Sequence, residues 1–352
     1  MIDATFELLM LSLLPGVGPR RIRELASRGH LPDALGHPEG HADLLGAAAR
    51  EALRSGAARR RAEDEARRAA ALAIRVVGFQ EPEYPDLLLR CYDPPPVLYV
   101  RGRLDRAGGC SSVAIVGSRR ASTAGCVLAR AMARDLSVVG LTVVSGLARG
   151  VDTAAHRGAL DGHGRTVAVL GSGLDRMYPP ENAALAEAIA ASGGAVVSEF
   201  PLGSAPLPDN FPRRNRVIAG WSRSTVVVEA AERSGALVTA RCALDEGRDV
   251  LAVPGHPSQR GSAGANQLIR DGAVLVRGAE DVLLELGLPS APAEQAVADQ
   301  VLGSLRSDAP SSLDDLQARS GWPTPQLLAR LAELELQGRV RRLPGAMFVR
   351  QA

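Results

Sequence analysis

Seven short apolar runs between residues 113 and 287 constrain the fold of this 352-residue chain more than any other feature. They are 113-VAIV-116, 141-LTVVS-145, 166-TVAVL-170, 195-AVVS-198, 225-TVVVE-229, 249-DVLAV-253 and 273-AVLV-276. Most lack the polar–apolar alternation of a half-exposed strand, as is typical of parallel strands that helices cover on both faces. Helical stretches such as 182-NAALAEAIAAS-192 lie between several runs. The pattern predicts an α/β fold with an open, doubly wound, mostly parallel sheet, whose ligands bind at the carboxyl ends of the strands.

The N-terminal third of the chain predicts a different organisation. Residues 1–80 are rich in Ala, Leu and Arg without strand-like runs, and 15-PGVGPRRIREL-25 has the glycine-hinged turn of a helix-hairpin-helix. Backbone N–H groups of such a turn can face a DNA phosphate, although these helix pairs also serve packing alone. Residues 81–112 are proline-rich and predict a connector with one edge strand at 97-VLYV-100.

The C-terminal segment predicts a linker followed by a small domain. Residues 288–299 have a linker composition. Residues 300–352 predict a winged helix, with helices at 300–306, 312–319 and 324–337 and two short strands around 344-PGA-346. Its arginines Arg339, Arg341 and Arg342 could contact nucleic acid, but winged helices also bind proteins, and the sequence leaves both open.

The composition excludes some functions and restricts others. All 41 basic residues are arginine, so a P-loop, which requires a lysine, and Schiff-base chemistry are both excluded. The net charge of +2 means that any polyanion site is a local patch. The scattered cysteines Cys91, Cys110, Cys126 and Cys242 indicate a reducing compartment. The apolar run at residues 8–17 is too short to span a bilayer, so we expect a cytoplasmic protein with no membrane partner.

The turns after the first three runs share a pattern of Gly and Ser followed by a helix. They are 117-GSRRASTAG-125, 145-SGLARGVDTAAH-156 and 171-GSGLDRMYPPEN-182. A dinucleotide site would require G-x-G-x-x-G after the first strand and an acid after the second, and both are missing. We expect an anion cradle instead, with a tight turn at Gly117, the Ser118 hydroxyl, free N–H groups of the next helix and the planar fork of Arg119. The other turns would extend it through Ser145, Gly146, Gly171, Ser172 and Gly173.

An arginine cluster and several aromatic residues follow this set of turns. The stretch 211-FPRRNRVIAG-220 contains Arg213, Arg214 and Arg216. Tyr178, Phe211 and Trp221 lie near the same predicted site in a chain with only 3% aromatic residues. Arginines beside aromatic faces are typical of single-stranded nucleic-acid sites, because bases stack on the rings. Phe211 and Trp221 could instead fill the core, a reading that is favoured for Trp221 and not for Phe211.

Candidate catalytic and metal-binding residues are few. Asp152 and His156 lie four residues apart on one predicted helix and could pair for base catalysis. No nucleophile motif such as GxSxG accompanies them, so a helix-stabilising hydrogen bond is favoured. His30, His37 and His41 lack an ordered metal spacing. We expect no catalytic residue and no metal site.

Several long motifs, taken in order, resemble the DNA-processing protein A (DprA/Smf) family. They are GSR, SGLARGVDTAAH, GSGLDxxYPxxN, FPxRNRxIxG, EAxxxSGALxTA and a late GxNxLIxxGA, and they cover about residues 110–287. The resemblance implies an extended Rossmann-like domain, flanked by an N-terminal helical domain of the SAM or helix-hairpin-helix type and a C-terminal winged helix. It also implies a non-catalytic protein without ATP or another cofactor, which binds and shields incoming single-stranded DNA during natural transformation.

The implied partners are single-stranded DNA, a RecA-type recombinase that the protein loads, single-stranded-DNA-binding protein and a second copy of the chain. Carried onto this sequence, Arg119 grips a phosphate, and Phe211, Arg214 and Arg216 provide basic and stacking contacts. Family members often carry a lysine just before the Phe-Pro pair, but 207-LPDN-210 has none, so that contact is absent or has moved to Arg213 or another arginine. Asn215 and Arg216 could instead brace the loop.

Two other function classes stay open. Nucleotide N-glycosidases of the phosphoribohydrolase kind use the same type of sheet. Their PGGxGTxxE motif is missing here, and Glu229 followed by 234-SGALVTA-240 is only a loose analogue. A purely structural oligomer would have no affinity for DNA.

Overall fold

The computed structural model describes residues 4–29, 31–104, 112–289, 301, 304–305, 310–336 and 340–350. It divides the chain into two compact units, Met1–Leu288 and Pro289–Ala352. The strands of the first unit are β1 (Arg75–Gly78), β2 (Val97–Gly102), β3 (Ser112–Val116), β4 (Thr142–Ser145), β5 (Thr166–Leu170), β6 (Ala195–Ser198), β7 (Ser224–Val227), β8 (Asp249–Ala252) and β9 (Val274–Leu275).

These strands form one sheet in the order β1-β2-β6-β5-β4-β3-β7-β8-β9. From β6 to β9 the neighbouring strands are parallel, and β2 and β1 continue the sheet antiparallel. The strand order runs outward from β3 to β6 on one side and restarts with β7 on the other, so the topological switch point lies between β3 and β7. The predicted doubly wound sheet is confirmed, and in sheets of this type ligands bind at the carboxyl edge next to the switch point.

Helices cover both faces of the sheet. They are α1 (Ala4–Ser12), α2 (Pro19–Ser27), α3 (Leu31–Gly36), α4 (Ala47–Arg54), α5 (Ala57–Ala71), α6 (Asp86–Leu89), α7 (Thr123–Val138), α8 (Val151–Asp161), α9 (Ala183–Ala191), α10 (Asn210–Trp221), α11 (Gly235–Asp245), α12 (Ala263–Arg270) and α13 (Ala279–Glu285). In β3, Val113 and Ile115 pack with α7, α8 and α13, while Ala114 and Val116 belong to the cluster of α9, α10 and α11. The alternation of side chains along a strand therefore divides the core into two layers.

The N-terminal helices are part of the first unit and share its core. Leu8 and Leu11 of α1 belong to the same buried cluster as Val77 of β1 and Leu98 of β2. The expectation of no strand before residue 80 is wrong, since β1 forms there and pairs with β2. The run 97–100 is also not an edge strand, because β2 lies between β1 and β6 and is buried. The structure therefore has no unit boundary at the predicted position near residue 80.

The second unit contains β10 (Ser311–Ser312), α14 (Leu313–Ser320), α15 (Thr324–Leu336), β11 (Val340–Leu343) and β12 (Met347–Arg350). Its sheet order is β10-β12-β11, and Leu316, Leu331 and Phe348 lie in its core. The predicted helix pair and the strand hairpin are confirmed. Most of the predicted linker, much of the predicted helix at 300–306 and Arg339 lie outside the described residues.

Among the helices of the described part, none combines the length and the apolar character needed to cross a bilayer.

Candidate nucleic-acid interface

A narrow pocket, about 30 Å³ in volume, lies where the turns after β3, β4 and β5 meet the start of α10. Its lining consists of Arg119, Gly146, Ala148, Arg149, Tyr178, Pro179, Phe211 and Arg214. Five of these residues were predicted from the sequence, and the fold brings them together from three separate strand ends and one helix. The volume admits a few water molecules or phosphate oxygens, but not a nucleotide.

Arg214 forms the floor of this pocket. Its side chain is buried, with 4% of the residue exposed, and Nη1 donates a hydrogen bond to the carbonyl of Val169 at 2.6 Å. A Cβ atom at Gly146 would overlap the guanidinium group, so the turn after β4 requires glycine there. Burial lowers the pKa of Arg214 to about 10, with Asp152 opposing the shift, so the group stays charged at neutral pH. Its Nε has no hydrogen-bond partner among the described residues.

Asp152 and His156, the candidate acid–base pair, have separate structural partners. The Asp152 carboxylate accepts hydrogen bonds from the N–H groups of Gly146 (3.1 Å) and Ala148 (3.3 Å), and burial raises its pKa. His156 is fully buried, and its Nδ1 lies 2.7 Å from Oγ1 of Thr166. Burial and the charge of Arg214 lower the pKa of His156 to about 3, so the ring is neutral. The two side chains therefore hold the scaffold beneath the pocket.

An aromatic wall borders the pocket. The ring centroids of Tyr178 and Phe211 are 5.8 Å apart and their planes are inclined by 51°. Gly171 lies directly beneath Phe211, since a Cβ atom there would be 2.9 Å from the ring. Cζ of Arg119 lies 5.0 Å from the Phe211 centroid, which is within cation–π range. Trp221, by contrast, is buried in the core at the end of α10.

The turn after β3 positions Arg119 through its backbone. The N–H of Ser118 donates to the carbonyl of Glu229 at 2.7 Å, and Oγ of Ser118 accepts from the N–H of Arg120 at 3.1 Å. A Cβ atom at Gly117 would lie 2.5 Å from Cγ2 of Val151, so glycine lets the turn pack on α8. The Arg119 side chain is exposed at the mouth of the pocket.

The start of α7 does not direct its first donors at a ligand, which corrects one expectation. The carboxylate of Glu229 accepts hydrogen bonds from the N–H of Ser122 at 3.1 Å and from its hydroxyl at 2.7 Å. Oγ of Ser122 in turn accepts from the N–H of Gly125. A protein carboxylate therefore already occupies the anion position at this helix terminus, so its first N–H groups are not free for an external anion.

Four of the predicted residues bond inward and support the turns. They are Ser145 (to the Ile115 carbonyl, 2.6 Å), Ser172 (to the Arg176 carbonyl, 2.7 Å), Gly173 (to the Ser204 carbonyl, 3.0 Å) and Asn215 (to the Gly235 carbonyl, 3.3 Å). The side chains of Ser145, Ser172 and Asn215 are buried, so the structure does not bring them to the pocket surface.

The three clustered arginines of α10 have three different environments. Arg214 is buried, as described above. Arg216 forms an internal ion pair with the buried carboxylate of Glu199. Its Nη1 also donates a hydrogen bond to the backbone carbonyl of Asp93 at 2.6 Å. Arg213 is exposed, with Cζ 5.2 Å from the ring of Phe200. Among the three, only Arg213 presents an accessible guanidinium group to solvent.

Arg149 is a pocket residue that the sequence reasoning did not select. It lies in the second turn, is exposed at the rim and forms an ion pair with Glu181. Its position in 145-SGLARG-150, directly after a strand end, was the available signal.

No cluster of potential metal ligands is present in the part of the chain that the structure describes. His37 and His41 both contact Asp33, at 3.1 and 2.8 Å, and His30 lies outside the described residues.

Comparison with known families identifies the family of this chain. The sequence profile of DNA recombination-mediator protein A matches residues 75–287, and that of the DprA winged helix domain matches residues 288–346. The chain belongs to the DNA recombination-mediator protein A family. All residues that line the pocket fall within the range that this DprA profile matches, residues 75–287.

Individual relatives agree with this DprA assignment. Protein Smf of Escherichia coli K12 is 44% identical over 277 residues, which are 74% of each protein. The solved structure of DNA processing protein A from Streptococcus pneumoniae has a TM-score of 0.69 and 36% identity, and it covers 81% of this chain and 99% of its own. The Helicobacter pylori protein, described for its unique single-stranded DNA binding mode, has a TM-score of 0.53 and 28% identity over 57% of this chain and 92% of its own.

Proposed function

We propose that this chain binds single-stranded DNA across the mouth of the pocket at the carboxyl edge of the sheet. The observation that supports this most strongly is the convergence of two guanidinium groups and an aromatic wall at one opening, with Arg214 buried within and Arg119 over Phe211. A flexible strand offers both phosphates for the cations and unpaired bases for the rings of Phe211 and Tyr178. Because the pocket is too small for a nucleotide, the strand lies over it.

Family membership supports a proposal for the role in the cell. We propose that the protein shields incoming strands during natural transformation and loads a RecA-type recombinase onto them in the cytoplasm, with single-stranded-DNA-binding protein as a further partner. The mediation needs neither ATP nor catalysis. Support comes from the family membership and from the similarity to the H. pylori protein described for its single-stranded DNA binding mode.

An N-glycosidase is not favoured by the geometry. Pockets that bury a small molecule usually have volumes of about 300–1,000 Å³, an order of magnitude more than the present one. The candidate acid–base residues Asp152 and His156 are also buried beneath it.

We further propose that the protein acts as a homodimer through its first unit. The strand β9 lies at the end of the sheet, and its residues Val274 and Leu275 are 36% and 44% exposed. An edge strand with apolar side chains is a surface on which a second copy could extend the sheet.

The substitution Arg119→Ala tests the binding proposal. We expect single-strand affinity to fall about tenfold for all sequences equally, since phosphate contacts hold no base information. The slope of log affinity against log salt should become shallower by about 0.7. Fluorescence anisotropy with labelled oligonucleotides measures both quantities.

The matched control is Arg120→Ala, which removes the next exposed arginine outside the pocket. Equal losses for the two variants would contradict a specific role of Arg119. Free base released from nucleoside monophosphates by the unaltered protein would favour the enzyme.

A further inference from the structure

A second basic opening lies at the start of α2, in the helix-hairpin-helix segment that the pocket does not use. It is a groove of about 690 Å³ between the first turns of α2 and residues 92–93, which precede β2. Arg20, Arg21 and Tyr92 line it. Unlike the pocket, it is large enough to hold a nucleotide.

The charge inside this groove is not compensated locally. Arg20 and Arg21 are exposed, and neither forms an ion pair with any residue in the described ranges. The two acids at the groove are already engaged, Glu24 with Arg28 and Asp93 with Arg216. The groove therefore presents positive charge, which suits a phosphate backbone.

An exposed aromatic ring lies in the same groove. Tyr92 is 65% exposed, and the guanidinium carbon of Arg20 lies 4.4 Å from its ring centroid. Its backbone is held on both sides: the N–H of Tyr92 donates to the carboxylate of Glu246 at 3.2 Å, and Arg23 donates to the carbonyl of Cys91. An exposed aromatic ring on a fixed backbone provides a surface on which a base can stack.

This groove is linked to the pocket through α10. The carbonyl of Asp93, next to Tyr92, accepts a hydrogen bond from Arg216. Arg216 follows Phe211 by five residues, which corresponds to ~7.5 Å of rise along the helix. The exposed Arg213 lies between them on the same helix. A strand bound at the aromatic wall would therefore extend along α10, past Arg213, to enter the groove.

We propose that the groove is a second binding site for the same DNA strand, in which Arg20 and Arg21 bind phosphates and Tyr92 stacks on an unpaired base. This inference rests on the proposed single-strand binding at the pocket. A single strand is the ligand that matches the groove, because the bases of a duplex are not available to an aromatic face.

The experiment measures the affinity of the full chain for oligothymidylates of about 6 and about 25 nucleotides, the shorter one sized for a single site. The double variant Arg20→Ala, Arg21→Ala should bind the long strand about tenfold more weakly and leave the short strand unchanged. Tyr92→Ala should weaken the long strand alone, and Tyr92→Phe should retain the affinity.

The matched control is the double variant Arg59→Ala, Arg67→Ala, which removes the same charge from exposed ion pairs on α5. Long-strand binding equal to this control would overturn the second site. So would a loss that appears only with a duplex of about 25 base pairs, measured in parallel, which would assign the groove to duplexes. If the unaltered protein fails to bind either strand, the pocket proposal itself is wrong, and this outcome is distinct from the other two.

Discussion

Three glycines at the strand ends determine where the side chains of the pocket lie. Gly117 admits Val151 of α8, Gly146 admits the guanidinium of Arg214, and Gly171 admits the ring of Phe211. In each case the missing Cβ atom makes room for a neighbouring side chain. In the proposed binding mode the side chains contact the phosphate, whereas in a dinucleotide-binding turn the glycine backbone itself approaches the phosphate.

The substitution Gly146→Ala tests this role. The added Cβ must displace the buried guanidinium of Arg214 from the Val169 carbonyl, so we expect a stability loss of about 1–3 kcal/mol and at least about tenfold weaker single-strand binding. Urea unfolding and fluorescence anisotropy measure the two effects. Gly36→Ala is the control, because no atom lies within 4 Å of the added Cβ there. Unchanged binding in Gly146→Ala would show that the position of Arg214 does not matter.

At the scale of elements, the helical phase of α10 separates the three arginines. Successive residues of a helix differ by about 100° in direction, so Arg213 and Arg214 cannot both face the pocket. The sequence predicted the cluster and left open which members contact DNA. The sequence alone could not show which arginines face inward, because their partners are distant in the chain. Arg214 bonds to the Val169 carbonyl of β5, and Arg216 pairs with the Glu199 carboxylate after β6.

The turns after β4 and β5 meet in the ion pair between Arg149 and Glu181. This acid partly neutralises the rim on which a strand would lie, and Arg149 lowers the pKa of the Glu181 carboxyl through their hydrogen bond. Glu181→Gln should therefore raise single-strand affinity about two- to fivefold and steepen its salt dependence, with little change in stability, since exposed ion pairs contribute little.

Anisotropy titrations at several salt concentrations check this expectation. Glu187→Gln is the control, because it removes an equivalent exposed acid that pairs with Arg101 on α9 and β2, away from the pocket. A weaker complex for Glu181→Gln would mean that the ion pair organises the rim instead of competing with the strand.

At the scale of the whole molecule, the parallel sheet was predictable and its antiparallel extension was not. The runs from 113 to 276 are predominantly apolar and mostly lack polar–apolar alternation, which identifies strands covered on both faces. The run 75-RVVG-78 directly follows an alanine-rich helix and has only two β-branched residues, so its strand character depends on pairing with β2. That pairing also brings the N-terminal helices into the first unit.

With a net charge of only +2, a binding site for a polyanion must be a local patch of positive charge. Several surface arginines are paired with nearby acids, as in the i,i+3 and i,i+4 pairs of α5. The pocket differs because Arg119 is directed over a ring and Arg214 is buried against a carbonyl. We therefore expect the affinity for a polyanion to depend on a few guanidinium groups rather than on the overall charge.

Photo-cross-linking tests the central claim most directly. Single strands that carry 5-iodouracil are irradiated with the full chain, and the cross-linked peptides are identified by mass spectrometry. Because halogenated bases cross-link to the aromatic rings on which they stack, the expected adducts are on Phe211 and Tyr178 at the carboxyl edge of the sheet. Adducts confined to the winged helix, with the aromatic wall unmodified, would contradict single-strand binding at this pocket.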